Sequence, residues 1–251
     1  MIKSIEKAVD IIGLLANSES PLSLAELSKS LGIVKSTLHG HISSLVEVGY
    51  VVQDAETGRY FLGYKLFEIG NTVSRKWNVR KVAHHYMQEL SELTGNAIHH
   101  AVLDDGEVLY ISKLDSTRSL PLASDIGVKT PVHCTGVGKV LISGLSPYEV
   151  RRITRKRGLA KYTETTITEL DKLQSELELV RERGYAIDEQ ECVEGLRCVA
   201  VPIYNNKGDI LSALSVAGSI QQMQGSYIED IIERLLKASD EISAQMGYQK
   251  T

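Results

Sequence analysis

Apolar side chains recur at three- and four-residue spacing through the first fifty residues, and the breaks in that rhythm fall at polar or glycine positions. Ile5, Ala8, Val9, Ile12 and Leu15 predict a first helix with one buried face. The polar run 17–21 ends in Pro21 and turns the chain. Ser23-Leu-Ala-Glu26 reads as a capping box opening a short second helix, with Leu24, Leu27 and Leu31 inward and Gly32 as its stop. A third helix begins near Lys35, buries Leu38, Ile42, Leu45 and Val46, and closes at Gly49. Two short helices across a tight turn form a helix-turn-helix, whose second helix enters the DNA major groove. The β-rich runs 50–53 and 59–62 flank a turn over 54–58 and predict a hairpin, the wing of such a domain.

The exposed start of the third helix carries Lys35, Ser36, Thr37, His39, Gly40 and His41, small or polar groups suited to phosphates and base edges. Arg59 on the wing is the expected phosphate or minor-groove contact. Ser23, at the cap of the second helix, is counted with these DNA-facing residues.

Beyond the wing, Leu66, Ile69 and Val73 mark a helix over 64–78, and Val82, Met87 and Leu90 a second over 80–93. Strands 97–103 and 107–113 then flank Asp104-Asp-Gly106, a strong hairpin signal. Helices are predicted at 137–143, 147–157 and 169–183, and a strand begins at Tyr185. A second hairpin, 196–204 and 210–217, turns over 205–208, and a helix over 224–246 closes the pattern. Hairpins alternating with helices, without βαβ regularity, predict an α+β domain with a curved antiparallel sheet. The resulting division is 1–63, a winged helix-turn-helix; 64–79, a linker helix; and 80–251, an α+β domain.

Charge adds a polarity to this layout. The net charge of −4 excludes a generic nucleic-acid coat. Residues 1–63 carry five Lys/Arg against seven Asp/Glu, and residues 64–81 carry five (Lys65, Arg75, Lys76, Arg80, Lys81) against Glu68 alone. A basic segment between acidic regions fits site-specific binding through a small footprint, and equally a solvated linker helix. Three cysteines are too few for a disulfide framework, and no apolar run reaches the ~18 residues of a membrane span. A soluble, cytoplasmic chain is expected.

Candidate chemistry is sparse. Gly136-Val-Gly138-Lys139 lacks the spacing and trailing hydroxyl of a phosphate loop. The same small-residue turn, opening a helix, presents free amides at the positive end of its dipole and suits a carboxylate. His133 and the three cysteines show no local nucleophile signature, and no CxxC or HExxH spacing occurs. His99 and His100, adjacent in a strand, face opposite sides. No catalytic residue, metal ligand or cofactor is assigned. Two rival classes remain: a redox or metal sensor using Cys134, Cys192 and Cys198, and a thiol-dependent enzyme with an appended interaction module.

With these motifs in order, the sequence resembles the IclR family of bacterial transcriptional regulators. The likeness runs from SIEKAVDIIGLLA through LSLAELSKSLGIVKSTLHGHISSLVEVGYV and RYFLGYKLFEIG to PVHCTGVGK (131–139) and DEQECVEGLRCVAVP (188–202). It implies a GAF-like effector-binding domain behind the winged helix-turn-helix. Carried over position by position, it nominates Thr130, Gly136, Val137, Asp188, Leu196, Cys198, Ser215 and Ala217 for the effector pocket. It further implies a repressor of a catabolic operon that senses a small carboxylate such as a keto or sugar acid. Its DNA would be a double-stranded palindromic operator, bound by a homodimer or a dimer of dimers. The chain departs from the family at Gly40, where an arginine is usual, and at Ala217, where a second hydroxyl is common.

Overall fold

Three helices and a hairpin surround the first core: α1 (Lys3–Ala16), α2 (Leu24–Leu31), α3 (Lys35–Glu47), β1 (Val51–Gln53) and β2 (Tyr60–Leu62), followed by α4 (Tyr64–Lys76). The computed structural model describes residues 2–76, 78–116 and 125–249, and the chain divides into two units, 1–77 and 78–251. The linker helix thus belongs to the first unit. The side chains of Arg75 and Lys76, part of the expected basic segment, lie outside the described residues.

Leu27, Leu38, Ile42 and Leu45 meet Ile11 and Leu15 in this core, with Val51 and Tyr60 closing it from the hairpin. The capping box of α2 forms as read, and Gly32 adopts the left-handed conformation that ends the helix. The face expected of α1 needs correction. Ile5 and Val9 are 58% and 60% exposed, whereas Ile11 is wholly buried. Only the C-terminal half of α1 meets the bundle, so burial follows Ile11 and Leu15, one helical turn apart. Val46 is likewise exposed at the margin of α3.

A pairing between Leu22 and Tyr60 ties the chain before α2 to the wing. Where the wing meets α4, Gly63 lies so close to the Gly49 carbonyl that a Cβ there would sit 2.1 Å from its oxygen. Glycine is obligatory at that crossing. Throughout α4 the apolar side chains stay outside the core, with Tyr64, Phe67, Ile69 and Val73 all exposed.

The second unit opens with α5 (Asn78–Thr94) and is built on six antiparallel strands in the order β5-β4-β3-β8-β7-β6. These are β3 (Ala97–Asp104), β4 (Glu107–Leu114), β5 (Lys129–Thr130), β6 (Ala186–Glu189), β7 (Leu196–Tyr204) and β8 (Ile210–Ser219). Two-residue β5 escapes the periodicity argument, being too short to show any period. Positive φ at Asp105 and Gly106 makes the β3–β4 turn that Asp-Asp-Gly predicts.

Each face of the sheet has its own helices. Between β5 and β6 the chain makes α6 (Gly136–Ser143), α7 (Pro147–Arg157) and α8 (Leu170–Arg183), and after β8 it makes α9 (Gly225–Gln245). Ile98, Val199, Val201, Leu214 and Val216 pack under α5 and α9. On the opposite face Ala101, Ala186, Ala200 and Ala213 meet Val137, Val140 and Leu141 of α6. Alanine on that face lets α6 lie close, and a Cβ on Gly136 would sit 3.3 Å from that of Ala200. The N-terminus of α6 is thereby held against the strands that carry the candidate pocket. Among the described residues no helix is long and apolar enough to cross a membrane.

Candidate functional site

Two surfaces carry the candidate residues, one in each unit. In the first, Leu38, Ile42 and Leu45 anchor α3 and turn the remaining positions outward. Lys35, Ser36, Thr37, His39 and Gly40 are exposed, and His41 is half-buried. Val34 precedes α3 without a side-chain cap, so the first amides of the helix are available to a phosphate as well as the Lys35 ammonium. His39 stands 3.5 Å from the Ser43 hydroxyl.

The wing is organised differently. The Asp54 carboxylate accepts from the amides of Glu56 and Thr57 and from the Thr57 hydroxyl, shaping the turn. Arg59 reaches back instead of outward, donating to the Pro21 carbonyl at 2.8 Å and to Glu26 at 3.0 Å. Ser23 is equally occupied, since its hydroxyl donates to Glu26 and accepts the Glu26 amide. Ser23, Glu26 and Arg59 form one local network joining helix cap to wing.

Gly40 has open space around it: a Cβ added there would meet nothing within 4 Å. Gly40→Ala is therefore expected to stabilise the first unit by about 0.5–1 kcal/mol, the helix-interior cost of glycine. Equilibrium denaturation of the two proteins checks this, and a loss of stability would mean that the site is not an open helical position.

In the second unit α6, β3, β4, β7, β8 and the loop after β6 enclose a cavity of about 150 Å³. Thr130, Gly136, Val137, Asp188, Leu196, Cys198 and Ser215 all line it, joined by His99, Tyr110, Thr135, Cys192 and Val193. Ala217 does not reach it; the residue is wholly buried beside its strand partners Cys198 and Ala97. Sequence reasoning does not single out His99 or Tyr110 for this site. Strand alternation puts His99 on one face and His100 on the other, but which face holds the cavity depends on the pairing of His99 with Ser215. The His99 ring lies 5.3 Å from that of Tyr110.

The polar groups of the cavity are tuned by burial. Burial, then the Lys113 charge, lowers the His99 pKa to about 4, so its imidazole is neutral. Burial also raises the Tyr110 hydroxyl, with the nearby Thr130 hydroxyl acting in the opposite direction. Asp188 is pushed up to about 7, chiefly by burial, against the Glu191 amide that donates to it at 2.7 Å. The Thr130 hydroxyl is buried with no partner in hydrogen-bonding geometry. At the seat of the cavity Thr135 caps α6 by accepting the Gly138 amide. The Gly136 and Val137 amides, first in the helix, have no intrahelical acceptor.

Lys139 settles how the GxGK turn is used. Its side chain is only 1% exposed and is committed within the protein. The ammonium donates to the Ile187 carbonyl at 2.6 Å and forms a close pair with Glu191, with Glu176 at 3.6 Å. Thr163 and Thr166 donate to the Gln190 and Glu191 carbonyls. The acidic loop 188–194 is thus an anchored wall of the cavity. His133 donates from Nε2 to the Ala160 carbonyl, and the Cys134 thiol is wholly buried. Among the described residues no three His, Cys, Asp or Glu side chains are placed to hold a metal ion.

Comparison with known proteins matches both units. Residues 4–55 match the family described as IclR helix-turn-helix domain, and residues 71–244 the family described as bacterial transcriptional regulator IclR C-terminal. The HTH-type transcriptional regulator XynR of Escherichia coli is 35% identical over 99% of this chain and 98% of its own length. The transcriptional repressor IclR of the same organism is 28% identical over 98% and 90%. Among solved structures, the IclR of Thermotoga maritima superposes with a TM-score of 0.79 at 30% identity, covering 99% of this chain and 100% of that one. These relatives are regulators, not enzymes.

Proposed function

This chain belongs to the IclR family of DNA-binding transcriptional regulators, and from that premise we propose that it represses a catabolic operon and releases it when a small carboxylate binds the second unit. The observation that carries the effector half is the cavity: free amides at the start of α6 face His99, Tyr110, Asp188, Thr130 and Ser215. At about 150 Å³ it is well below the ~300–1,000 Å³ of drug-sized sites, which suits an acid of a few carbons. The α6 amides would hold the carboxylate, while Ser215, Thr130 and the neutral His99 would serve keto or hydroxyl oxygens. That set favours keto or sugar acids over purely apolar ones.

On DNA, Lys35, Ser36, Thr37, His39 and His41 would present to the major groove, with Gly40 allowing close backbone approach. Ser23 and Arg59 would support the reading head from within. A palindromic operator requires two-fold symmetry. The exposed apolar residues of α4 and of the N-terminal half of α1 supply surface for a second copy to cover, so the acting species would be at least a homodimer. Its place of action is the cytoplasm, where the operator is. Ligand preference for one arrangement of the two units would change operator affinity by population shift.

The test joins both halves. A panel of small keto, hydroxy and sugar acids is screened by thermal shift, in which a ligand present at about 100 times its Kd should stabilise the fold by about 2.7 kcal/mol. The best acid is then added to protein bound to DNA from upstream of its own and neighbouring genes. Release of that DNA is the expected result; acids that neither stabilise nor release would refute the effector reading. In the same assay Lys35→Ala with Thr37→Ala is expected to weaken specific binding at least about tenfold and to lower the salt slope by about one. Unchanged binding at moderate salt would remove α3 as the reading helix.

A further inference from the structure

Residues 78–251 carry twenty Lys/Arg against twenty-four Asp/Glu, yet five of those cations fall on the 11-residue α7, with Glu149 as its one acid. Val150, Ile153 and Thr154 turn one side of this helix into the core. Helical spacing puts Tyr148, Arg151, Arg152 and Arg155 together on the opposite side. All four are exposed, Tyr148 to 76%. The result is an outward stripe of three guanidinium groups around one aromatic ring.

The stripe sits on a fixed base. A capping box of Ser146 and Glu149, with Pro147, opens α7, and the Glu149 carboxylate accepts from the Ser146 amide and hydroxyl. Lys156 and Arg157 hold the other end to Asp105, and Arg157 also pairs with Glu107. Among the described residues no hydrogen bond or ion pair engages the side chains of Arg151, Arg152 or Arg155. Elsewhere in this unit helix cations lie beside acids: Lys172 with Glu169, Arg234 with Asp230, Lys237 with Glu241. The helix dipole accounts for Arg155, Lys156 and Arg157 in the last turn, but not for Arg151 and Arg152 before it. Like charges three and four residues apart repel, a cost that an external anion removes.

We propose that this face of α7 binds the phosphate backbone of duplex DNA without reading its sequence, as a second contact beside the reading helix of the first unit. Guanidinium groups take phosphate oxygens through paired hydrogen bonds. Set one helical turn apart, Arg151 and Arg155 meet successive charges of a polyanion. Tyr148 donates its hydroxyl to a phosphate oxygen and lays its ring against the sugar. The stripe lacks the aliphatic centre of a protein interface, and the family match of the first unit already brings the chain to DNA. The inference rests on DNA binding and is independent of the effector.

Full-length protein is titrated with a long duplex of random sequence over a series of salt concentrations. Replacing Arg151, Arg152 and Arg155 together by Gln should lower the slope of log K against log salt by about two to three, since each phosphate contact contributes about 0.9. Lys172→Gln, on an exposed pair of α8, should leave the slope within error. The α7 loss should recur in the background of Lys35→Ala with Thr37→Ala, so failure of the reading-helix assignment and failure of this one are distinguishable. Should the triple variant fold poorly, the parent decides: an arginine-specific dicarbonyl should modify Arg151, Arg152 and Arg155 in free protein, and the duplex should block it. An unchanged slope or unprotected arginines would overturn the proposal. So would a changed oligomeric state of the triple variant by sedimentation, which gives the stripe to a second copy of this chain. Protection by polyglutamate but not by duplex would give it to an acidic protein instead and equally overturn the DNA contact.

Discussion

Lys139→Met is expected to destabilise the second unit by about 3–5 kcal/mol, the usual consequence of removing one partner from a buried ion pair. Lys139 is the largest fully buried side chain among the described residues, and Glu191, its close partner, is 5% exposed. Without the ammonium the Glu191 carboxylate has only the Glu189 amide at 3.4 Å, and its second oxygen is already without a partner. The Ile187 carbonyl loses its donor as well. For a unit of this size the melting temperature should fall on the order of 10 °C. A second substitution separates charge from shape: Glu191→Gln in the Lys139→Met background should recover part of the loss, because the uncompensated charge is gone. Lys161→Ala, which breaks an exposed pair with Glu164, should change stability within error. A Lys139→Met protein as stable as its parent would show that the pair contributes nothing net.

The second large effect is a pH dependence centred on Asp188. An anion seated at α6 favours the neutral carboxylic acid. Effector affinity should therefore fall as pH rises through about 7, approaching about tenfold per pH unit above that value. Titration calorimetry across about one pH unit on either side of that value, with the best acid of the thermal-shift panel, measures it. Asp188→Asn should flatten the profile, and a profile that stays steep would place the titrating group elsewhere. The unliganded fold gives a check of the same sense. Because the folded pKa is raised above the ordinary 3.8, the stability tied to the protonated acid is fully present below that value and is lost as pH rises through about 7. Asp188→Asn should accordingly raise the melting temperature more on the alkaline side of that pKa than on the acid side.

Much of this architecture is legible from spacing and turn chemistry. Pro147 and Gly158 bound α7, Ser23 with Glu26 opens α2, and Gly184 ends α8 in a left-handed conformation. Local chemistry of that kind is complete within a few residues. What stays hidden depends on long-range partners. Helix period alone gives α1 a stripe through Ile5 and Val9, because Ile11 becomes the buried side only where α1 meets α3. His99 and Tyr110 enter the cavity through the pairing of β3 with β8 and with β4, which no local pattern records. A wing arginine with no visible partner looks free to meet DNA; for Arg59, Glu26 and the Pro21 carbonyl become partners only once the chain folds back. Seven of the eight nominated effector positions line the cavity. The exception, Ala217, is wholly buried beside its strand partners Cys198 and Ala97.

The division of α3 between anchors and exposed positions bears on how such a protein changes over time. Leu38, Ile42 and Leu45 carry the packing, while Lys35, Ser36, Thr37 and Gly40 make no contribution to the buried core. Mutations at the outward positions thus escape the selection that guards folding. The wing and the cap of α2, bound together through Glu26, provide a chassis that, on the proposed reading of α3, need not be rebuilt when its letters are rewritten. A lineage carrying this domain can drift from one operator to another through viable intermediates, and a glycine at position 40 is a state from which many side chains are one tolerated step away.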